Sequence, residues 1–452
     1  MSSHPINLEG DNQAGDLSPK VARFGLGLAA VGLGIGVVLG FMSNDHDAYS
    51  HFWFAYLIAF CFVLTIVLGA MFFNIIQHLV NAHWSVSVRR LSELTMANIP
   101  LMAIFALPLL VPLFSDDVEV WKWASMGDGH GAAEAGHEVA DVAAAGAEGH
   151  DAAAEAGAPQ DLATQLNEAE HHHFVSHKFP FLNRNFFLIR LVAYFLLWWW
   201  MAKFFFKKSV DQDSAEGIAP TLSLKKISPV SVILFAFTIS FFAFDMLMSL
   251  DETWFSTIFG VYIFAGAYLS AMCWMVLMSK FLQAKGKLTK VINDEHYHDL
   301  GKWMFAFTFF WGYIAFSQFM LIWYANIPEE THFYEARLTD AWSGWTWCLL
   351  IFHFIIPFGG LLSRHVKRNT NVLKYWAIYM LIMHWVDLYW IAMPNYNRSE
   401  VGADNPFGVM EIALAVGMLG VLIYGVGKKS AKQALLPVGD PLLDKCLGFK
   451  NL

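Results

Sequence analysis

His384 and Asp387 stand three residues apart in one long apolar stretch. At that spacing two side chains share a helix face and can touch. An imidazole beside a carboxylate is a proton-exchange pair, because the acid sets how tightly the ring holds its proton. Other polar residues interrupt neighbouring apolar stretches: Arg190, Asp245, Gln318, His353 and Glu411, with Asn74, Gln77 and His78 near the end of another. Ionisable groups inside such stretches are costly and normally face a bundle interior or a water-filled route. Groups that exchange protons, stationed at successive depths, are what a proton half-channel requires. A static reading stands beside it, in which Asp245 pairs with Arg190 and each histidine bonds a nearby hydroxyl or carbonyl.

The elements that position these residues are read from hydropathy. Of 452 residues 56% are hydrophobic and only 15% charged, against about 25% in soluble domains. Mean hydropathy is +0.44. Ten apolar runs cover 21–41, 51–79, 95–114, 186–206, 229–250, 256–280, 301–325, 341–362, 372–393 and 407–427. Each is about the length that crosses some 30 Å of hydrocarbon at about 1.5 Å per residue. Backbone groups in lipid must be satisfied internally, so each run is expected to be helical. The expected fold is therefore an all-α membrane protein of about ten transmembrane helices. The 40 Phe, 18 Trp and 14 Tyr suit such a bundle. Trp342, Trp345, Trp347 and the run 198–200 read as interface belt and packing. The first run is no signal peptide, because no small-residue cleavage site follows it. Its Gly32, Gly36 and Gly40 recur every fourth residue, which reads as a close helix-packing face.

Charge predicts the orientation. One alternating set of connections holds 23 of the 29 Lys and Arg residues, Arg89 and Arg90 among them. The other set holds only Lys122, Lys178, Arg184, Arg190, Arg337 and Arg398. Both termini are thus expected on the cytoplasmic side, with tails at 1–20 and 428–452. Asp245, Arg190, Gln318, Asp387 and Glu411 then fall in the outer part of their helices, and His353 and His384 near mid-depth. The spans divide into 21–114 and 183–427 around one large outer insert, 115–182. That insert carries 13 acids against 2 lysines and contributes −11 to a net charge of −9. Its seven histidines, His171, His172 and His173 among them, raise the question of metal capture. No fixed ligand spacing is visible, and an acidic loop docking on a neighbouring subunit is the preferred reading.

Several chemistries find no motif. The four cysteines form neither C-x-x-C nor C-x-x-C-H, which excludes the usual iron–sulfur and c-type haem patterns. No basic face points to nucleic acid. A bis-histidine haem b on His353 and His384 would need facing rings and a slot, with bulky Phe354 and Trp385 adjacent. A transporter built on paired broken helices lacks its signature, since Pro357 stands alone in the eighth run.

Four segments carry a resemblance: WYANIPEE at 323–330, QHLVNAHWSVSVRRLSE at 77–93, HWVDLYW at 384–390 followed by Pro394, and LLSRHVKR at 361–368. They resemble the F-subunit family of bacterial alternative complex III, a quinol:electron-acceptor oxidoreductase, within the NrfD-like class of polysulfide-reductase membrane subunits. The resemblance runs from the first helix to the tenth and leaves out the insert. It implies two four-helix bundles, helices 2–5 and 6–9, with helices 1 and 10 peripheral. It implies a multi-pass subunit of the bacterial inner membrane with no cofactor of its own. Haem c, iron–sulfur clusters and quinol are expected in partner subunits. The implied partners are an NrfD-like quinol-binding sister subunit, an iron–sulfur subunit, haem c subunits and often a terminal oxidase, besides membrane lipids. The expected role is proton conduction or coupling, through Asp245, His353, His384, Asp387, Glu411, Arg190, Gln318 and His78, together with assembly. A quinone-binding catalytic subunit and a purely structural anchor remain the alternatives.

Overall fold

A computed structural model describes residues 11–42, 46–115, 118, 120–126, 178, 180–396 and 405–450. The histidines of the acidic insert, and most of that segment, lie outside the described residues, as does Arg398. The fold is all-α, with no strand among the described residues. Ten helices are long and apolar enough to cross a membrane: α1 (Leu17–Met42), α2 (Tyr49–Leu79), α3 (Val86–Phe114), α4 (Arg184–Gln212), α5 (Ala219–Leu250), α6 (Phe259–Ala284), α7 (Asp294–Ala325), α8 (Asp340–Leu362), α9 (Thr370–Asn395) and α10 (Val409–Ser430). The chain is a multi-pass membrane protein.

Three of the long helices start on an asparagine that caps otherwise orphaned backbone N–H groups. Asn183 accepts from Phe186 N at 2.8 Å to start α4. Asn293 and His296 form a reciprocal cap on α7, and Asn369 accepts from the first turn of α9. The α3 segment is interrupted after Met96 and again over Leu107–Leu109, where prolines remove backbone donors. In α8 the turns Leu349–Ile355 are π-helical, directly before Pro357. Such wide turns recur at functional sites.

α2 is the axis of the fold. Its most apolar stretch is 94% buried, and it packs on α3, α5, α6, α9 and α10. α6 in turn meets α3, α5, α7 and α9, and α8 lies against α7 and α9. α1 pairs along its length with α10. The glycine stripe of α1 makes this possible: a Cβ on Gly32 would lie 2.5 Å from Ala413 O, and one on Gly36 would strike Leu414. Gly40 turns instead onto Phe52 of α2. The expected close-packing face is therefore present.

Several helices begin before their apolar runs, the fifth at Ala219 rather than 229 and the seventh at Asp294 rather than 301, and one such extension bears on the site. The third helix begins at Val86 rather than 95, so Arg89 and Arg90 are helical and buried instead of lying in a connection. An apolar-run reading stops at charges, whereas tertiary partners let the helix continue through them. The tail after 428 is also not free. Leu435, Leu436, Asp440 and Cys446 are buried against the ends of the helices. This end, with the Lys and Arg connections, is called the basic end below.

Candidate functional site

Asp387, on α9, is buried between α6 and α7. It accepts from the Tyr262 hydroxyl and, at 3.1 Å, from Trp311 Nε1. Among the described residues no Lys or Arg pairs with it. One turn away, His384 Nε2 lies 2.9 Å from Thr65 Oγ1 of α2. Thr65 Oγ1 also lies 2.9 Å from Phe62 O; when its proton goes there, His384 Nε2 is the donor and Nδ1 carries the lone pair. That Nδ1 has no hydrogen-bond partner among the described residues. Gly266 of α6 lets the ring in: a Cβ there would sit 2.8 Å from His384 Cε1 and 3.9 Å from Asp387 Oδ2. Both groups thus face the same patch of α6, as their spacing predicts.

His353 joins them from α8. Its π-helical turn sets the ring edge-on to Trp311, with centroids 3.9 Å apart. Neither ring nitrogen finds a partner among the described residues, although the residue is wholly buried. Trp311 therefore bridges His353 and Asp387, touching one with its ring and the other with its N–H.

The polar line continues toward the end of the bundle opposite the basic one. On that side Tyr334, of the short helix Pro328–Leu338, lies against Trp390 of α9. Gln318 donates to Tyr334 at 3.2 Å and accepts from Ser256 at 3.2 Å. Hydrogen bonds thus join Ser256, Gln318 and Tyr334 in one set and Tyr262, Asp387 and Trp311 in another.

The remaining predicted residues lie elsewhere. Asp245 is held by Arg190 through Nε at 2.9 Å and Nη2 at 2.7 Å, and by Tyr194 at 2.7 Å. Arg190 also donates to Phe181 O at 2.9 Å. Its planar fork is filled, and of the predicted carboxylates it meets Asp245. This is the static pairing the sequence offered. Glu411 caps its own helix, accepting from Gly408 N at 2.9 Å, and pairs with His51. His78 lies at the basic end beside Phe205 of α4.

At that end is a network the sequence reading passed over. Glu93, fully buried in α3, is approached by Arg90 Nε at 3.2 Å and Arg89 Nε at 3.7 Å. Ser209 donates to it at 2.8 Å and Asn74 at 3.3 Å. Arg90 also grips Asp213 at 2.7 Å, and Arg89 pairs with Asp440 of the C-terminal segment. A signal was present: an acid three and four residues after two arginines is helical pairing geometry. Burial raises the Asp213 carboxyl above its ordinary value, and Arg90 opposes that.

Eight residues of α2 separate Thr65 from Asn74, a rise of about 13 Å. They are apolar, from Ile66 to Phe73. Midway, a Cβ on Gly69 would fall 2.0 Å from Ala267 O, so α2 and α6 meet backbone to backbone there. Along α2 the mid-helix cluster and the basic-end network are thus divided by an apolar, close-packed stretch.

Among the described residues no group of three His, Cys, Asp or Glu side chains is arranged to hold a metal ion. Comparison with known protein-family models and with curated proteins finds no match for this chain.

Proposed function

We propose that this chain is a membrane subunit, itself without redox centres, of a quinol-oxidising respiratory complex of the alternative complex III kind, and that it contributes to proton conduction or coupling and to assembly. The four motif segments support the assignment to that kind of complex. The observation that carries the proton role is Asp387. It is a buried acid held by two neutral donors, within one turn of His384 and one indole from His353. A purely structural carboxylate at depth is normally neutralised by a cation, as Asp245 is. A carboxyl group without one can exist in either protonation state with only local rearrangement.

In this reading protons enter at the end bearing Gln318 and Tyr334, and Asp387 and His384 hold them in turn. The basic end faces the cytoplasm of a bacterial cell. The sister NrfD-like subunit, the iron–sulfur subunit and the haem c subunits carry the electrons.

The quinone-binding alternative needs a polar anchor near a lateral opening. The apolar groove of about 350 Å³ between α3 and α4, lined by Ile99, Ala103, Leu107, Leu191, Phe195 and Trp199, has no His, Asp or Arg in its lining. It suits a hydrocarbon tail, and the Trp199 indole is the one side chain in its lining with a hydrogen-bonding group.

The test is Asp387→Asn in the intact complex, reconstituted in vesicles, with proton release per electron as the readout. Proton release should fall while the haem and iron–sulfur spectra are unchanged. Unchanged stoichiometry and turnover would remove the proton role and leave a scaffold.

A further inference from the structure

The C-terminal segment is bound at the basic end by contacts of several kinds. Asp440 pairs with Arg89, and Gly439 N donates to Asp213 Oδ1 at 3.4 Å. Leu435 N donates to Asn12 O at 2.6 Å, while Asp11 O accepts from Leu288 N at 3.1 Å. The N-terminal segment thus ties the C-terminal one to the α6–α7 connection. Further along, Cys446 Sγ donates to Trp84 O at 3.2 Å and lies 3.4 Å from His296 Nε2. His296 Nδ1 accepts from Asn293 N at 3.1 Å, so Nε2 bears the proton and points at the sulfur. Phe449 closes the segment between the rings of His83 and His296.

The charge pattern beneath is competitive. Arg89 is shared between Glu93 of α3 and Asp440 of the tail. Arg90 is shared between Glu93 and Asp213 of the α4–α5 connection. Two cations serve three carboxylates, and two of those carboxylates belong to segments outside the helices. A fully buried acid needs its counter-charges wherever they are available. Every step that moves the tail away leaves Arg89 with Glu93 as its remaining acid.

We propose that residues 435–449 form a releasable strap, latched by Asp440 on Arg89 in competition with Glu93, so that opening the strap hands Arg89 to Glu93 and closing it draws Arg89 away. The strap is a built-in switch of the charge around Glu93, beyond the proton role assigned to Asp387 and independent of it. Gly439 is its close-approach point. A Cβ there would lie 2.0 Å from Gln212 O and 2.7 Å from Asp213 Cα, so only glycine lets the closed strap lie flat.

Cys446 reports the state of the strap, because its thiol is fully covered when closed. The full-length chain, in a Cys348→Ser background, is treated in membranes with N-ethylmaleimide, and the alkylation rate of Cys446 is read by mass spectrometry. Asp440→Asn should raise that rate about tenfold, since it removes one partner of a buried pair. Glu93→Gln should lower it about threefold, because the competitor for Arg89 has been neutralised. Opposite signs are the mark of competition. A network that is merely structural would loosen with both variants, and that result overturns the proposal. So does an unchanged rate in Asp440→Asn. Gly439→Ala keeps every charge and should also speed labelling; failure to do so in a folded, monodisperse preparation would equally overturn it.

Discussion

Two buried polar regions lie in the same bundle and are built on opposite rules. At the basic end Arg89, Arg90, Glu93, Asp213 and Asp440 satisfy charge with charge. At mid-helix Asp387 has only the hydroxyl of Tyr262 and the indole of Trp311, and His353 and His384 keep ring nitrogens unpaired among the described residues. Taking two opposite charges from water together is tolerable when geometry is good; taking an acid alone is tolerable only if it can become neutral. The first region is therefore built as a fastening, and the second is the one to which the proposed proton role is assigned. The Arg190–Asp245 pair belongs with the first kind, which separates Asp245 from Asp387.

The contrast can be broken most forcefully at Arg90. Arg90→Met leaves Glu93 and Asp213 facing burial with one cation fewer, at a cost of about 3–5 kcal/mol, read as a lowered thermal midpoint in detergent. An unchanged midpoint would mean the network does not fasten the helices. The layer between the regions comes next. Gly69→Val drives a branched side chain into Ala267 O and should cost about 1–3 kcal/mol by overpacking. If it is neutral, α2 and α6 are not locked there and the two regions are less separate than their packing indicates.

Asp387→Asn should be the mildest in stability, within about 1 kcal/mol, because an amide still accepts one of the two hydrogen bonds. Its effect should appear in proton release instead. A large loss of stability would place Asp387 with the fastenings. The smallest effect is one of pH, at Asp213. Burial favours its protonated form in the closed strap, with Arg90 and the Gly439 N–H opposing and Asp440 reinforcing. Where the strap supplies that burial, the closed state is favoured as pH falls toward the raised value. Asp213→Asn mimics the protonated acid and keeps the acceptor for Gly439. Wild type should therefore label faster than Asp213→Asn at about pH 8, and the two should converge near about pH 5. No convergence would locate the titration elsewhere.

Much of this was legible in the residues. Runs of apolar side chains required ten helices, because only helices satisfy their backbone in hydrocarbon. The spacing of His384 and Asp387 put them on one face, and the glycine stripe of α1 foretold a close partner. Spacing could not show that Asp245 would be saturated by Arg190, or that Tyr262, Trp311 and Thr65 would be the partners of the mid-helix pair. Those contacts join residues far apart in the chain. Nor could it show Arg89 and Arg90 inside the fold, since charged residues beside an apolar run look like its end.

Hydrophobic length and charge asymmetry are properties of local sequence, and they settled that the chain crosses a membrane repeatedly. Which buried acid is neutralised by a cation and which is left to a tyrosine and an indole depends on side chains delivered from other helices. Only the packing of α2, α6, α7 and α9 around Asp387, and the folding of the tail over Arg89, decided it, because the energy of a buried charge is set by its neighbours in space.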